Sequence, residues 1–109
     1  MYSRKHKITE KQYIKTVKDR LQQQGCLVFK ITERFRSGFP DLIVICAGIV
    51  MFVECKVGNN TLSSLQLNTL FHIAKAGGIA LLIQMSTAGV ETVVRIFPDG
   101  SIRSFKLFK

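Results

Sequence analysis

Two continuous apolar runs separated by two residues constrain the fold of this chain more than any other feature of its sequence. Leu42–Cys46 and Ile49–Val53 contain only apolar residues, and Ala47 and Gly48 lie between them. Such runs, bounded by turn signals, are typical of strands buried on both faces, and a two-residue connection makes an antiparallel hairpin. The whole stretch is twelve residues long, too short for a membrane-spanning helix, which needs about 20. The sequence therefore predicts a hairpin at the centre of a sheet.

Two amphipathic helices are predicted around this hairpin. Thr9 and Gln12 fit a capping box and Gly25 fits a helix stop, so the first helix is expected over about residues 9–24. Its inward stripe is Ile14, Val17 and Leu21, and its opposite stripe is Lys11, Lys15 and Lys18. Ser63 or Ser64 caps a second helix that runs to about residue 76, with an expected buried stripe of Leu67, Leu70, Phe71 and Ala74.

The remaining apolar segments predict further strands. Residues 26–31 and 79–83 fit single strands, and residues 91–97 and 101–107 flank the turn signal Pro98-Asp99-Gly100. The strand at 79–83 follows a helix, so we expect it to lie parallel to a neighbour. The predicted order is αβββαβββ, an α/β fold with a mixed central sheet and a C-terminal β-hairpin, and we expect residues 1–109 to form one domain.

Positive charge is concentrated at the two ends of the sequence. Residues 1–36 contain ten basic and three acidic residues, residues 37–102 contain three and four, and residues 103–109 contain three basic residues and no acidic ones. This distribution favours a polyanion, most often a phosphate backbone, as partner. The alternative is that the charge serves solubility alone. A membrane surface is disfavoured, because the basic helix has a short apolar stripe and the chain contains no Trp.

The cysteines and the N-terminus predict an intracellular protein. Cys26, Cys46 and Cys55 form an odd set without CxxC spacing, and each lies in an apolar stretch, so we expect reduced, buried thiols. The basic residues at the start of the chain precede a polar helix pattern, and no signal peptide is visible.

Two acids and a lysine are predicted to meet at one edge of the apolar hairpin. If Cys46 lies opposite Ile49, Asp41 lies opposite Glu54, and Lys56 emerges on the same face as Glu54. The group fits a hard divalent cation held by carboxylate oxygens. Three alternatives stay open at this point: solvated strand ends, an ordinary Lys56–Glu54 ion pair, or a bulge that separates the acids.

Glu10 adds a third carboxylate to this pattern. It is four residues before Ile14 and seven before Val17, so it lies on the inward stripe of the first helix. An acidic residue in a first helical turn can gain stability from the helix dipole while it stays in water. An inward position for Glu10 is therefore unusual.

These residues resemble the PD-(D/E)XK nucleases, and within that superfamily the stand-alone VRR-NUC domains of phages and bacteria. The resemblance rests on Gly38-Phe39-Pro40-Asp41, on Glu54-Cys55-Lys56 at the end of an apolar strand, on Glu10, and on Leu62-Ser63-Ser64-Leu65-Gln66. It spans most of the chain. It implies a restriction-endonuclease-like αβββαβ core and a metal-dependent DNA endonuclease, and it is compatible with a phage-encoded protein that acts in the cytoplasm of the host.

The resemblance also implies roles for the site residues. Asp41, Glu54 and the main-chain carbonyl of Cys55 would bind Mg²⁺ or Mn²⁺, and Glu10 would bind it directly or through water. Lys56 would orient or help deprotonate the attacking water. Gln66 would lie near the site, unless it is a simple capping residue. Residues flanking the strand before Asp41 would contact phosphates, or would be solvated loop residues: Lys30, Arg34, Arg36 and Ser37.

Similarity to small Holliday-junction resolvases of the same superfamily implies branched DNA as substrate and a homodimer. A catalytically silent DNA- or RNA-binding module on the same fold is the competing hypothesis. Asp41, Glu54 and Lys56 count against it, because a module without chemistry has no reason to keep mutually repelling acids. An RNA-binding protein is disfavoured further because the aromatic residues lie mostly within apolar runs.

Overall fold

The computed structural model describes residues 7–32 and 37–109 of the chain, which form two helices and a six-stranded sheet. The elements in chain order are α1 (Glu10–Gln23), β1 (Leu27–Lys30), β2 (Leu42–Cys46), β3 (Ile49–Val57), α2 (Ser64–Lys75), β4 (Ile79–Met85), β5 (Glu91–Ile96) and β6 (Ile102–Ser104). The predicted order of elements is confirmed. In the described part of the chain, no helix is long and apolar enough to cross a lipid bilayer.

The strands follow one another across the sheet in chain order, β1 to β6. Every neighbouring pair is antiparallel except β3 and β4, which are parallel and are connected through α2. The sheet is therefore mixed, as predicted. The predicted hairpin register is also confirmed, since Cys46 pairs with Ile49 and Leu42 with Val53. Ala47 and Gly48 make the tight turn, both with positive φ.

Both helices begin with a capping box. The Thr9 hydroxyl accepts a hydrogen bond from the Gln12 N–H, and the Gln12 side chain accepts one from the Thr9 N–H. Ser63, one of the two predicted caps, makes the same reciprocal pair with Gln66 at the start of α2. Each box satisfies backbone donors that a helix start would otherwise leave without partners.

The two helices pack on opposite faces of the sheet. The larger core lies under α1, where the predicted stripe is buried together with Tyr13. The smaller core lies under α2 and centres on Leu70, Ala80 and Ile96. The predicted burial of Leu67 is wrong: its side chain is 46% exposed, whereas Leu70 and Ala74 of the same predicted stripe are buried.

On the α2 side, the sheet extends beyond the helix and leaves apolar residues in water. Leu27, Ile45 and Val50 are aligned across β1, β2 and β3, as are Phe29, Ile43 and Phe52. We call these six residues the uncovered face. Leu27 is 54% and Phe29 49% exposed. The prediction that β2 and β3 are buried on both faces is therefore wrong for this part of the sheet.

The cysteine prediction is wrong for two of the three residues. Cys26 and Cys46 form a disulfide, and Cys55 is a free, buried thiol. The pairing follows from the strand register: Leu27 pairs with Ile45, so the preceding and following residues, Cys26 and Cys46, also lie opposite one another. Residue counting and the lack of CxxC spacing could not show this adjacency.

Candidate active site

Three carboxylates from three separate elements converge at one end of the sheet. Glu10 is the first residue of α1, Asp41 comes directly before β2, and Glu54 lies in the second half of β3. Each offers one oxygen atom, and these atoms lie within 4.8 Å of one another. Glu54 is only 1% exposed, while Glu10 and Asp41 are half-buried. The arrangement brings three carboxyl groups into a volume that one cation could occupy.

The hairpin positions Asp41 beside Glu54 without pairing them in the ladder. The β2–β3 ladder ends at Leu42 and Val53. One residue further on, the Asp41 carboxylate accepts a hydrogen bond of 2.8 Å from the Cys55 N–H. This bond satisfies the Cys55 N–H beyond the end of the ladder, and it holds one carboxylate oxygen in place. The Cys55 side chain points into the core under α1.

Gly38 allows the segment before Asp41 to approach α2 closely. Its φ is +80°, and a Cβ atom at this position would lie 2.5 Å from Leu65 Cγ and 3.2 Å from the Leu65 carbonyl carbon. Phe39 then packs edge-on against Phe52, with ring centroids 6.1 Å apart, and Pro40 is buried. The segment Gly38–Asp41 is thus held against both the sheet and the start of α2.

Two further side chains reach Glu54 from β3 and α2. Lys56 Nζ lies 3.9 Å from Glu54 Oε2, and both residues are buried. Gln66 Nε2 donates a hydrogen bond of 3.2 Å to the same Oε2 atom. Gln66 is therefore both a capping residue of α2 and a neighbour of the acidic group, so the two sequence-based alternatives for it hold at once.

Burial raises the pKa of all three carboxyl groups. For Glu54, burial is the largest cause and the nearby charge of Asp41 adds to it, while Lys56 acts in the opposite direction. For Asp41, burial again has the largest effect on the pKa, and the hydrogen bond from the Cys55 N–H partly offsets it. For Glu10, burial dominates, Lys56 lowers the pKa and Asp41 raises it. The nearby lysines thus do not offset the effect of burial on the pKa of these three carboxyl groups.

A cleft of about 700 Å³ opens beside the carboxylates. It is lined by residues of α1, by the end of β1 and by Asp41; the lining residues are Glu10, Lys11, Ile14, Lys30, Ile31, Thr32 and Asp41. Its basic residues, Lys11 and Lys30, are exposed, whereas Glu10 and Asp41 are half-buried. The cleft thus presents positive and negative charge side by side.

Comparison with known proteins identifies the family. No family model and no curated protein matches the sequence. Among solved structures, a protein described as a VRR_NUC domain superposes with a TM-score of 0.61 and is 31% identical, over 74% of this chain and 89% of the other. The chain belongs to the VRR-NUC family. The resemblance seen in the sequence is thereby confirmed.

A second solved structure also superposes on this protein, at lower sequence identity. The Holliday junction resolvase Hjc from the archaeal hyperthermophile Archaeoglobus fulgidus has a TM-score of 0.60 at 12% identity, over 84% of each chain. At this identity the match shows a common fold. The predicted restriction-endonuclease-like architecture of PD-(D/E)XK nucleases is confirmed by both structures.

Of the four residues predicted to contact phosphates, the structure describes two. Lys30 is exposed and lines the cleft beside Asp41. Ser37 is exposed. Arg34 and Arg36 lie outside the described residues. Lys11 also lines the cleft but was not predicted to do so, although it directly follows Glu10 and belongs to the basic stripe of the first helix.

The side chains of this site fit a hard divalent cation. All three donors are carboxylates, the group is short of positive charge, and Mg²⁺ and Mn²⁺ prefer oxygen ligands. The fit rests on the unbalanced charge as well as on the spacing, because exposed acidic groups also cluster without binding metal.

Proposed function

We propose that this protein, as one domain formed by residues 1–109, is a divalent-metal-dependent endonuclease that hydrolyses phosphodiester bonds in DNA. The observation that carries the proposal is the convergence of Glu10, Asp41 and Glu54, with oxygen atoms within 4.8 Å and Lys56 buried beside Glu54. Membership of the VRR-NUC family supports the same chemistry. A buried, uncompensated acidic group costs folding stability unless it binds a cation.

Asp41 and Glu54 are the proposed metal ligands, together with the main-chain carbonyl of Cys55. Glu10 completes the set directly or through a water molecule. When bound, Mg²⁺ or Mn²⁺ would polarise the scissile phosphate and lower the pKa of an attacking water. The Cys55 N–H holds Asp41 in a fixed orientation, so that part of the ligand set is preorganised.

Lys56 and Gln66 are proposed to assist the reaction. Lys56 is buried next to Glu54, and its ammonium group would stabilise negative charge that develops on the attacked phosphate. It would also orient the attacking water. Gln66 donates to Glu54 Oε2, which holds that carboxylate in place. Gln66 is a positioning residue in this proposal.

The test is cleavage of labelled DNA in Mg²⁺, in Mn²⁺ and in EDTA. We expect metal-dependent cleavage that is lost in Asp41→Asn and in Glu54→Gln, with folding and DNA binding retained. Asp99→Asn is the matched control, since Asp99 is exposed in the turn between β5 and β6 and does not line the cleft. Cleavage by the pure protein that survives either site variant would refute the site assignment. DNA binding without cleavage in any metal would favour the catalytically silent module.

Branched DNA is the proposed substrate class. The support is the common fold with a Holliday junction resolvase. Linear, flapped, splayed and four-way DNA of equal length should be compared in the same assay. Preferential cleavage of the four-way junction is expected, and equal rates on all four substrates would refute the structural selectivity while leaving the nuclease intact.

A second copy of the chain is the proposed partner of the uncovered face. A resolvase needs two symmetric cuts, which a two-fold dimer supplies. A fully exposed aromatic side chain has a surface area of roughly 150–250 Å², and an aliphatic one has less. With their partial exposure, the six residues of the uncovered face together expose roughly 400 Å² of apolar surface per copy. A standard interface buries about 800 Å² per partner, a little more than half of it non-polar. The uncovered face carries no charge, so it does not repel its own copy.

Sedimentation equilibrium at micromolar concentration tests the dimer. We expect a dimer for the wild type, a monomer for Phe29→Lys, and a dimer for Val90→Lys, which changes an equally exposed apolar residue away from the uncovered face. A monomeric wild type, or a dimeric Phe29→Lys protein, would refute this interface. Neither result would bear on the metal-dependent chemistry.

A further inference from the structure

A basic groove leads away from the acidic group along α1. The cleft at Glu10 and Asp41 continues into a second cleft of about 360 Å³, and the two share Lys11, Ile14 and Lys30 as lining residues. The second cleft is lined further along α1 by Gln12, Lys15, Lys18 and Asp19. The two clefts therefore form one continuous depression between α1 and the edge strand β1, which we call the α1 groove.

The charges of the α1 groove are arranged to meet a polyanion. Within residues 7–32 and 37–109, Lys11, Lys18 and Lys30 make no ion pair, whereas Lys15 pairs with Asp19 at 2.7 Å. Lys30 lines the same cleft as Asp41 and Glu10, so one of these cations lies beside the acidic group itself. Three unpaired cations thus lead from the carboxylates to the middle of α1.

The spacing of these lysines matches a DNA backbone. Lys11 and Lys18 are seven residues apart on a helix, which corresponds to about 10 Å along its axis. One strand of a DNA duplex has a phosphate about every 3.4 Å along the duplex axis, so the groove spans roughly three phosphates. Such contacts position a strand without specifying its sequence.

We propose that the α1 groove binds the phosphate backbone of the duplex arm on one side of the scissile bond, with Lys11, Lys18 and Lys30 as its contacts. Lys15 contributes less, because Asp19 already neutralises it. This proposal rests on the proposed function, since it takes DNA as the substrate. It adds a binding surface on α1 to the residues around the acidic group.

The salt dependence of DNA binding in EDTA tests the α1 groove without using cleavage. Each phosphate contact contributes about 0.9 to the slope of log K against log salt concentration, so Lys11→Gln/Lys18→Gln should lower the slope by about 1.8. Lys75→Gln/Lys106→Gln is the matched control: it removes the same charge at exposed positions that do not line the groove, and it should change the slope by much less. Lys15→Gln should also have a small effect.

Equal losses in the two double variants would refute the groove, because net charge alone would then explain binding. Phosphate-ethylation interference gives a second readout: roughly three phosphates on one side of the cut should interfere in the wild type and not in Lys11→Gln/Lys18→Gln. A reduced slope in a protein that never cleaves would leave the groove standing and refute the nuclease. Metal-dependent cleavage together with an unchanged slope in Lys11→Gln/Lys18→Gln would refute the groove and leave the nuclease standing.

Discussion

Glu54 and Glu91 are both withdrawn from solvent, but the charges around them differ. Glu91 accepts a hydrogen bond of 2.5 Å from the Tyr13 hydroxyl, and Arg20 Nη1 donates to both of its oxygens at 2.9 and 3.0 Å. Glu54 has a lysine at 3.9 Å and shares its surroundings with two further carboxylates. Glu91 is neutralised by dedicated partners, and Glu54 is not.

The difference shows how structural and functional acids can be told apart in this molecule. The Glu91 group ties α1 to β5, and Arg20 also lies 3.5 Å from the centre of the Phe108 ring, so the C-terminal residues are held as well. Burial and the bond to Glu91 keep the pKa of Tyr13 raised, so the hydroxyl stays a donor. The acidic group at Glu54 lacks positively charged partners at hydrogen-bond distance, so it is able to accept a cation.

Removing the lysine of the acidic group should strongly reduce activity. Lys56→Met keeps a long side chain but loses the charge, and we expect cleavage to fall by about 10²–10⁴. Single-turnover cleavage at saturating Mg²⁺ measures this. Lys56→Arg, which keeps a positive charge, should recover part of the rate. A Lys56→Met rate within about threefold of the wild type would show that the charge has no part in the reaction.

Removing the charge of Glu91 should reduce stability and leave cleavage unchanged, the opposite of what is expected for Lys56. Glu91→Gln removes the charge that Arg20 and Tyr13 contact, and we expect it to lower the free energy of unfolding by about 1.5–3 kcal/mol. Cleavage per folded molecule should stay close to the wild-type value. Urea unfolding and cleavage assays on the same preparation separate the two outcomes, and a stable but inactive Glu91→Gln protein would contradict the assignment of Glu91 to the fold.

Metal binding should stabilise the protein through the unbalanced group. At a metal concentration about 100 times the dissociation constant, the gain in the free energy of unfolding is about 2.7 kcal/mol. We expect Mg²⁺ or Mn²⁺ to raise the melting temperature of the wild type and of Glu91→Gln, but not that of Asp41→Asn. Equal shifts in all three proteins would place the metal elsewhere.

The pH dependence of metal-free stability should report the shortage of positive charge around Glu54. Burial, reinforced by the charge of Asp41, raises the pKa of Glu54 from 4.5 to about 8. Because the folded state holds this proton more tightly, its contribution to stability is complete below pH 4.5 and is lost as the pH rises towards about 8. The metal-free wild type should therefore lose stability over this range relative to Glu54→Gln. Chemical denaturation of both proteins in EDTA at several pH values measures the difference, and parallel curves would contradict it.

Local patterns in the sequence predicted the elements of this fold well. The capping residues Thr9 and Ser63 fixed the starts of both helices, and the two-residue turn at Ala47 and Gly48 fixed the β2–β3 register. These features depend on residues close together in the chain. The convergence of Asp41 and Glu54 could be inferred because it follows from that register.

Features that depend on distant residues could not be predicted in the same way. Tyr13 and Glu91 are 78 residues apart, and no local pattern connects them. The exposure of Leu67 depends on where α2 sits over β4 and β5, which helical periodicity does not determine. The Cys26–Cys46 disulfide depends on the register of β1 against β2, which are joined by a long connection rather than a tight turn.

The capping box of α2 determines the direction in which the Gln66 amide faces. The Oε1 atom accepts from the Ser63 N–H, so the amino end is left to point at Glu54. A glutamate would serve the helix start equally well as an acceptor, but it would present an oxygen instead of a donor to Glu54. The identity of this side chain is therefore decided at two places at once: the cap needs an acceptor and Glu54 needs a donor, and among side chains of this length only an amide has both.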